Sequence, residues 1–345
     1  MTLYGTPRAD KIYAELETGV YALAGNDRVE GDADGESVYG GLGDDLILGG
    51  AIKTKSGLGT ATKPYAILSF KTPTGDDRLQ GDEGRDTICG GDGKDNIIGN
   101  DGDDGGIVKY FGKYYRAGLY GGTGDDFISG GAGKDSLYGG DDKDFLNGGT
   151  DKDRVYGGDG DDTVFNDGGN DYISGGAGLD TLWGGFDADS IHGGTGADDI
   201  HGQGGNDKLY GDNGADKLYG NDGSNLLVGG SGKDLMVAGT GANKFYYTAI
   251  SHGGDTIQGF DNNDVLQFKG AAFAVPDKGA LLEKYFFSRP GNTTNTAHDK
   301  DDRFIYRSGD DTLWFDRDGT VSKYKPELVA HLNDVGLVAG DIFIL

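Results

Sequence analysis

From Gly121 to Tyr246 the chain is written in nine-residue units, fourteen in unbroken succession, each of the form G-G-x-G-x-D-x-U-x with U a large apolar residue. Gly121-Gly122-Thr123-Gly124-Asp125-Asp126-Phe127-Ile128-Ser129 is one copy, and Gly175-Gly176-Ala177-Gly178-Leu179-Asp180-Thr181-Leu182-Trp183 is another. A fixed short period constrains a fold more than any local propensity does, because one unit cannot bury its apolar residue alone and must stack on its neighbours. The last three positions are long enough for one short strand, and strand alternation turns U inward and its two neighbours outward. From Ile128 and Leu137 to Met236 and Phe245 no member of the U column is polar, whereas the outward positions are mixed (Ser129, Tyr138, Asn147, His192, Lys208). Two units therefore make a coil of 18 residues with a strand on each face, and coils stack about 4.8 Å apart.

The other six positions describe the turn. Glycines at positions 1, 2 and 4 give access to positive φ, which side chains resist, so the turn can curl and gather carbonyl oxygens. The Asp at position 6 adds charged oxygens at the same place. Such an all-oxygen set suits a hard cation, and calcium accepts six to eight oxygens in a flexible shell. Stacking places each Asp over the one eighteen residues later, Asp126 with Asp144 and Asp135 with Asp153, in two columns along the two edges. Solvated aspartates would not require one phase in nine while position 7 varies freely (Phe127, Ser136, Arg154, Thr163, Lys208).

The unit resembles the RTX nonapeptide, the hemolysin-type calcium-binding repeat. Further copies lie upstream: an intact one at residues 40–48, weaker ones ending at Glu30 and Tyr39, and a second block over 72–107. The resemblance implies an all-β fold, a right-handed parallel β-roll, a β-solenoid of calcium-binding repeats, closed by a C-terminal β capping module. It also implies calcium ligation by the position-6 residues Asp27, Asp45, Asp77, Asp86, Asp95, Asp104, Asp126, Asp135, Asp144, Asp153, Asp162, Asp171, Asp180, Asp189, Asp198, Asp207, Asp216 and Asp234 together with turn carbonyls. Pairs eighteen residues apart allow roughly 10–15 calcium ions. Departures from the pattern matter. Asp142, Asp151 and Asp187 replace the glycine at position 4, where Asp tolerates a left-handed backbone better than most residues. Asn225 and Asn243 replace the position-6 Asp, and sites built on them should be weaker.

Folding should depend on the ions. A coil buries only two large apolar side chains, too little to offset the ordering of eighteen glycine-rich residues. With 58 acidic and 31 basic residues the net charge is −27, and about ten divalent ions would neutralise some 20 of those charges. Without them the repeats have the composition of a disordered chain, so metal-binding energy becomes folding energy. Excess negative charge also argues against nucleic acid as a partner.

The expected organisation is an N-terminal cap (1–21), a first repeat block (22–48), an insertion (49–71), a second block (72–107), a second insertion (108–118), the main roll (119–246) and a C-terminal region (247–345). In that last region alternating runs such as Asp264-Val265-Leu266-Gln267-Phe268 and Leu313-Trp314-Phe315-Asp316, and the terminus Asp341-Ile342-Phe343-Ile344-Leu345, read as strands covering the open end of the roll. The family resemblance adds an uncleaved signal for the type I secretion machinery there. Met1 to Arg8 has no basic-then-apolar signal peptide, and no apolar run is long enough for a transmembrane helix. Cys89 is the only cysteine, which rules out an internal disulfide; at position 9 it should face outward.

Both insertions are basic and aromatic in an acidic chain. Insertions into solenoids tend to emerge on a binding face, and Lys109, Tyr110, Lys113 and Tyr114 would suit an extracellular acidic polysaccharide or a surface protein. A hairpin packed on the edge of the roll explains the same residues. No catalytic constellation is visible: H-E-x-x-H and G-x-S-x-G are both absent. His192 and His201, at position 9 of consecutive repeats, should face opposite sides and cannot share a metal. Repeats starting near residue 22 leave no room before them for a catalytic domain. The sequence thus reads as a non-enzymatic, secreted calcium-binding protein with a structural or interactive role at the cell surface or in the extracellular matrix. The alternatives are a polysaccharide-binding accessory module and the C-terminal part of a larger RTX toxin or enzyme.

Overall fold

The computed structural model describes residues 118–269 without a break, together with the strands and shorter segments on either side that are named below. The chain divides into two compact units, Met1–Gly176 and Ala177–Leu345. Both are parallel β-solenoid.

In the first unit successive strands alternate between two parallel ladders. One contains Leu3–Tyr4, Gly19–Tyr21, Ser37–Leu42, Arg78–Glu83, Asn96–Asp101, Phe127–Ala132, Phe145–Thr150 and Thr163–Phe165. The other contains Lys11–Tyr13, Arg28–Glu30, Leu46–Leu48, Thr87–Asp92, Gly118–Thr123, Ser136–Asp141 and Arg154–Asp159. The position-8 residues pair at an offset of eighteen, Ile128 with Leu146 and Leu137 with Val155, and all four are fully buried. Burial of each such side chain contributes about 1.5–3 kcal/mol.

Two features, the role of the first strands and the length of the strands, differ from the reading above. Leu3–Tyr4, Lys11–Tyr13 and Gly19–Tyr21, which the sequence reading placed in an N-terminal cap, pair in parallel in the same ladders as the repeats. Most strands are six residues long, because the G-G-x that follows x-U-x stays extended before the chain turns. The insertions are bypassed: Ser37–Leu42 pairs directly with Arg78–Glu83, and Thr87–Asp92 with Gly118–Thr123. The second insertion contains an antiparallel hairpin, Ile107–Tyr110 with Lys113–Arg116, in which Lys109 pairs with Tyr114 and Tyr110 with Lys113. Residues 49–71 lie outside the described residues.

In the second unit the ladders run Thr181–Phe186, Asp199–Gly204, Lys217–Tyr219, Leu235–Val237, Asp255–Gln258 and Ser190–Thr195, Lys208–Asn213, Leu226–Val228, Lys244–Tyr247, Val265–Phe268. Parallel pairing thus continues past Tyr246, with Met236 opposite Ile257 and Phe245 opposite Leu266. Two strands from the end of the chain extend it further, Glu327–Leu332 on Asp255–Gln258 and Ile342–Ile344 on Val265–Phe268. Antiparallel strands Thr312–Phe315 and Phe304–Arg307 follow on Glu327–Leu332. Phe268, Phe273, Phe304 and Phe315 form an aromatic cluster there, with ring centroids 4.7 Å apart for Phe268–Phe304 and 5.1 Å for Phe273–Phe315. Among the described residues no helix is long and apolar enough to cross a membrane.

Candidate metal centres

The position-2 and position-4 glycines adopt positive φ, for example Gly140 at 130° and Gly160 at 143°. Asp142, Asp151 and Asp187 hold position 4 at φ of 79°, 76° and 75°. Position-1 glycines such as Gly139 do not adopt positive φ, which corrects the expectation for that position. Their reason is space. A Cβ on Gly139 would fall on Asp144 Oδ2 and lie 2.5 Å from Gly157 O. Position 1 is where a turn's own carboxylate and the carbonyl of the next coil converge.

The position-6 residues are buried, from Asp104 and Asp126 through Asp234, with Asp153 wholly inaccessible. Within each unit a position-6 side chain takes a backbone N–H from the corresponding residue one coil earlier, as Asp171 does from Asp153 N and Asp234 from Asp216 N. In the first unit Asp126 N donates to Asp144 Oδ1, Asp135 N to Asp153 Oδ1, and Asp144 N to Asp162 Oδ1, all at 2.8 Å. Asp104 N donates to Asp135 Oδ1 at 2.8 Å, keeping its place in the column across the hairpin insertion. In the second unit Asp180, Asp189 and Asp198 donate in the same way to Asp198, Asp207 and Asp216. Asp27, Asp45, Asp77, Asp86 and Asp95 lie outside the described residues.

One carboxylate oxygen thus holds the coils together. The other is left over: Oδ2 of Asp144, Asp153, Asp198, Asp207, Asp216 and Asp234 is buried and has no hydrogen-bond partner. Burial drives these carboxyls up, against the opposing pull of the backbone N–H. Asp144 and Asp216 rise to about 7, Asp153 to about 8 and Asp207 to about 6, and Asp198 and Asp234 are also raised. Among the described residues no three His, Cys, Asp or Glu side chains gather around one point, so further oxygens for an ion would be turn carbonyls. A buried anionic oxygen beside a carbonyl, in a cradle that most repeats line with glycine, fits a hard cation.

Asn225 makes the same point from the other side. Its Oδ1 accepts from Asp207 N at 2.8 Å, as an aspartate would, while its Nδ2 donates to Gly220 O at 3.0 Å. The amide satisfies by itself the carbonyl that faces a carboxylate oxygen in neighbouring turns. Asn243 likewise accepts from Asn225 N at 2.9 Å and donates to Thr240 O at 3.2 Å. Asn225→Asp should raise the calcium count at saturation by one. It should also cost the metal-free roll about 1–3 kcal/mol by setting two acceptors face to face, so that more calcium is needed before the sheet signal appears in circular dichroism.

The outer faces carry ring ladders that the repeat pattern did not single out. Tyr120, Tyr138 and Tyr156 stack at 4.7 and 5.1 Å. Trp183, His201 and Tyr219 stack at 5.6 and 4.6 Å. His201 Nε2 lies 2.9 Å from Asp199 Oδ1, whereas His192 stacks on Tyr210 in the other ladder, with its Nδ1 3.1 Å from Asp212 Oδ2.

A parallel solenoid with one buried carboxylate per nine-residue turn is a repeat-built metal-binding protein. Residues 20–51, 74–105, 119–146, 138–173, 174–209 and 210–245 match the family model of the RTX calcium-binding nonapeptide repeat (4 copies). These segments cover more than half of the chain, which therefore belongs to the RTX calcium-binding repeat family, and its repeats bind calcium at multiple sites. No curated protein matches the chain. Among solved structures it is similar to the extracellular lipase LipA from Serratia marcescens (16% identity over 66% of this chain and 41% of the lipase, TM-score 0.27). It is also similar to a hyperactive, Ca2+-dependent, beta-helical antifreeze protein from an Antarctic bacterium (18% identity, 76% of this chain and 77% of that one, TM-score 0.28). The chain thus spans less than half the length of the lipase.

Proposed function

We propose that this chain is a secreted RTX protein that folds on calcium outside the cell and serves a structural or interactive role at a surface or in an extracellular matrix. The observation that carries this reading is the row of buried Oδ2 atoms without hydrogen-bond partners, at Asp144, Asp153, Asp198, Asp207, Asp216 and Asp234. Bound calcium supplies the positive charge that lets these carboxylates stay ionised where water cannot reach them. The residues themselves orient the turns: Oδ1 fixes the coil before, and the glycines keep the space beside Oδ2 open. The aspartates outside the described residues (Asp27, Asp45, Asp77, Asp86 and Asp95) take the same role by their place in the repeat. The C-terminal strands close the end of the roll and carry the signal read by the type I secretion machinery. No catalytic role is assigned to the chain. Calorimetric titration of metal-stripped protein should reach roughly 10–15 calcium ions at saturation, and saturation at one or two ions would overturn the reading.

A second reading, an accessory module for an acidic polysaccharide, rests on the second insertion. Two lysine–tyrosine pairs, Lys109 with Tyr114 and Tyr110 with Lys113, are cross-strand neighbours in one hairpin. Replacing all four with alanine should abolish retention on an acidic glycan array in calcium and leave calcium-dependent folding unchanged. Loss of folding instead would assign the hairpin a packing role.

A further inference from the structure

In a chain of net charge −27, one outer face of the second unit is free of acid where its strands point outward. The face belongs to the ladder Ser190–Thr195, Lys208–Asn213, Leu226–Val228, Lys244–Tyr247 and Val265–Phe268. From Ser190 to Gln267, the residues on either side of each inward apolar residue in this ladder include no Asp or Glu. Three neighbouring strands form the centre of the face. Lys208, Leu226 and Lys244 stand in one column, and Tyr210 stands opposite Val228. Tyr246 holds the same place in the strand that follows. Both lysines are exposed and both tyrosines half-buried, with Leu226 and Val228 as an apolar step between them.

Among the described residues neither Lys208 nor Lys244 forms an ion pair. Asp212, at the edge of this face, is engaged by His192, whose Nδ1 lies 3.1 Å from Asp212 Oδ2 and whose ring stacks on Tyr210 at 4.4 Å. The opposite ladder of the same unit provides an internal control. There an acid, Asp199, does point outward, and it lies 2.9 Å from His201 Nε2 and 3.8 Å from Lys217 Nζ. Lys217 has a carboxylate at hand, whereas Lys208 and Lys244 do not. These two stand on backbones about 9.6 Å apart, twice the strand spacing, which is close to the length of one disaccharide in an extended polysaccharide.

We infer that this face binds an acidic polysaccharide with one carboxylate per disaccharide, laid across the strands. Successive carboxylates meet Lys208 and Lys244, and the apolar C–H face of the sugar between them lies over Leu226 and Val228. The Tyr210 and Tyr246 hydroxyls exchange hydrogen bonds with sugar hydroxyls on the other side. Nucleic acid fits the same face poorly. Its phosphates recur about every 3.4 Å along a strand, and two lysines leave most of them facing the acidic turns. The inference rests on the reading that calcium folds the repeats, because only the stacked ladder brings Lys208 and Lys244 onto one face. Bound calcium also offsets the negative field of the turns that would repel the ligand. The surface does not involve the hairpin of the second insertion.

The test is fluorescence anisotropy of a labelled hyaluronan octasaccharide titrated with the full chain in calcium. The proteins are the wild type, the double variant Lys208→Ser with Lys244→Ser, and Lys217→Ser. Serine suits these positions because Ser190 stands opposite Lys208 one strand earlier. The wild type should bind. The double variant should bind about tenfold more weakly, as the loss of two exposed ion pairs implies, and Lys217→Ser should match the wild type. All three should keep the sheet signal in calcium. A wild type that folds but does not bind, a double variant of unchanged affinity, or equal loss in Lys217→Ser overturns the proposal. Equal binding of a neutral N-acetylglucosamine oligosaccharide, or of a single-stranded oligonucleotide of equal charge, also overturns it. Should the double variant not fold, Tyr210→Phe with Tyr246→Phe decides, since it keeps the rings and removes the hydroxyls. Its affinity should fall several-fold, and an unchanged value overturns the proposal. The calcium reading fails differently, as a wild type with no sheet signal in calcium. If the hairpin variant loses the octasaccharide and the double lysine variant does not, the ligand sits on the hairpin and the face is overturned.

Discussion

Stripped of calcium at pH 8, the protein should lose its sheet spectrum, and acidifying the stripped protein toward pH 5 should bring part of it back. The carboxyls that line the two columns are raised by burial, to about 7 at Asp144 and Asp216 and about 8 at Asp153, from the 3.8 of an exposed aspartate. A folded-state value above the unfolded one means that the metal-free roll takes up protons as it folds. The resulting stability is complete below pH 3.8 and is lost as the pH rises through 6 to 8, where each Oδ2 becomes an uncompensated buried charge. Calcium reverses the sign. The loaded protein needs the same carboxylates ionised, so protons compete with the ions, and its thermal midpoint should fall on acidification through the same window. Circular dichroism with and without chelator, at pH 8 and pH 5, gives four spectra that check both slopes. A stripped protein with a full sheet spectrum at pH 8, or with equal stability at the two pH values, would remove the carboxylate columns from the account of folding.

The repeat made much of this legible. Period nine, an invariant apolar position and a position-6 Asp lead to parallel coils with an offset of eighteen, and Ile128 opposite Leu146 is that offset in the structure. Two things were hidden by the same regularity. The pattern requires glycine at positions 1, 2 and 4 alike, so it cannot separate glycines needed for positive φ, such as Gly140, from those needed for space, such as Gly139. The distinction depends on the coil above, which no single unit records. The three inserted residues before Ile250 shift the phase, and Asp255 and Asp264 no longer register as position 6 although Ile257 and Leu266 continue the buried column. The double duty of the aspartate was also out of reach. A spacing of nine shows where carboxylates stack, but not that one oxygen is consumed by the backbone of the coil before.

Gly139→Ala should be among the most damaging single-methyl changes available to the chain, and it separates the steric from the conformational role of glycine. The added Cβ would land on Asp144 Oδ2 and within 2.5 Å of Gly157 O. Neither can give way cheaply. Asp144 is pinned through Oδ1 to Asp126 N at 2.8 Å, and its own N–H is committed to Asp162 Oδ1. Overpacking a rigid site of this kind costs about 1–3 kcal/mol, and displacing the carboxylate adds the loss of the ions it serves. The expected result is a higher calcium midpoint for folding and a saturating count lower by one or two. Asp142→Gly, three residues away, is the control. Its φ of 79° costs a non-glycine residue about 1–2 kcal/mol, while the exposed bond from Gly124 N to Asp142 Oδ2 that it gives up is long, at 3.2 Å. That variant should be neutral to slightly stabilised with an unchanged count. The chain contains a natural version of the experiment at Ala238, which holds position 1 of the last of the fourteen repeats. There the position-6 residue is the neutral Asn243, and its second polar atom turns to Thr240 O in place of the position-1 carbonyl that Asn225 reaches. At Ala238 a position-1 methyl thus coincides with a neutral position-6 residue, whereas Asn166 holds position 1 in the repeat that keeps Asp171 and accepts from Gly148 N through its own Oδ1 at 3.0 Å. If Gly139→Ala instead bound calcium as the wild type does, the carboxylate would be free to move, and position-1 glycine would need a reason other than the space beside Oδ2.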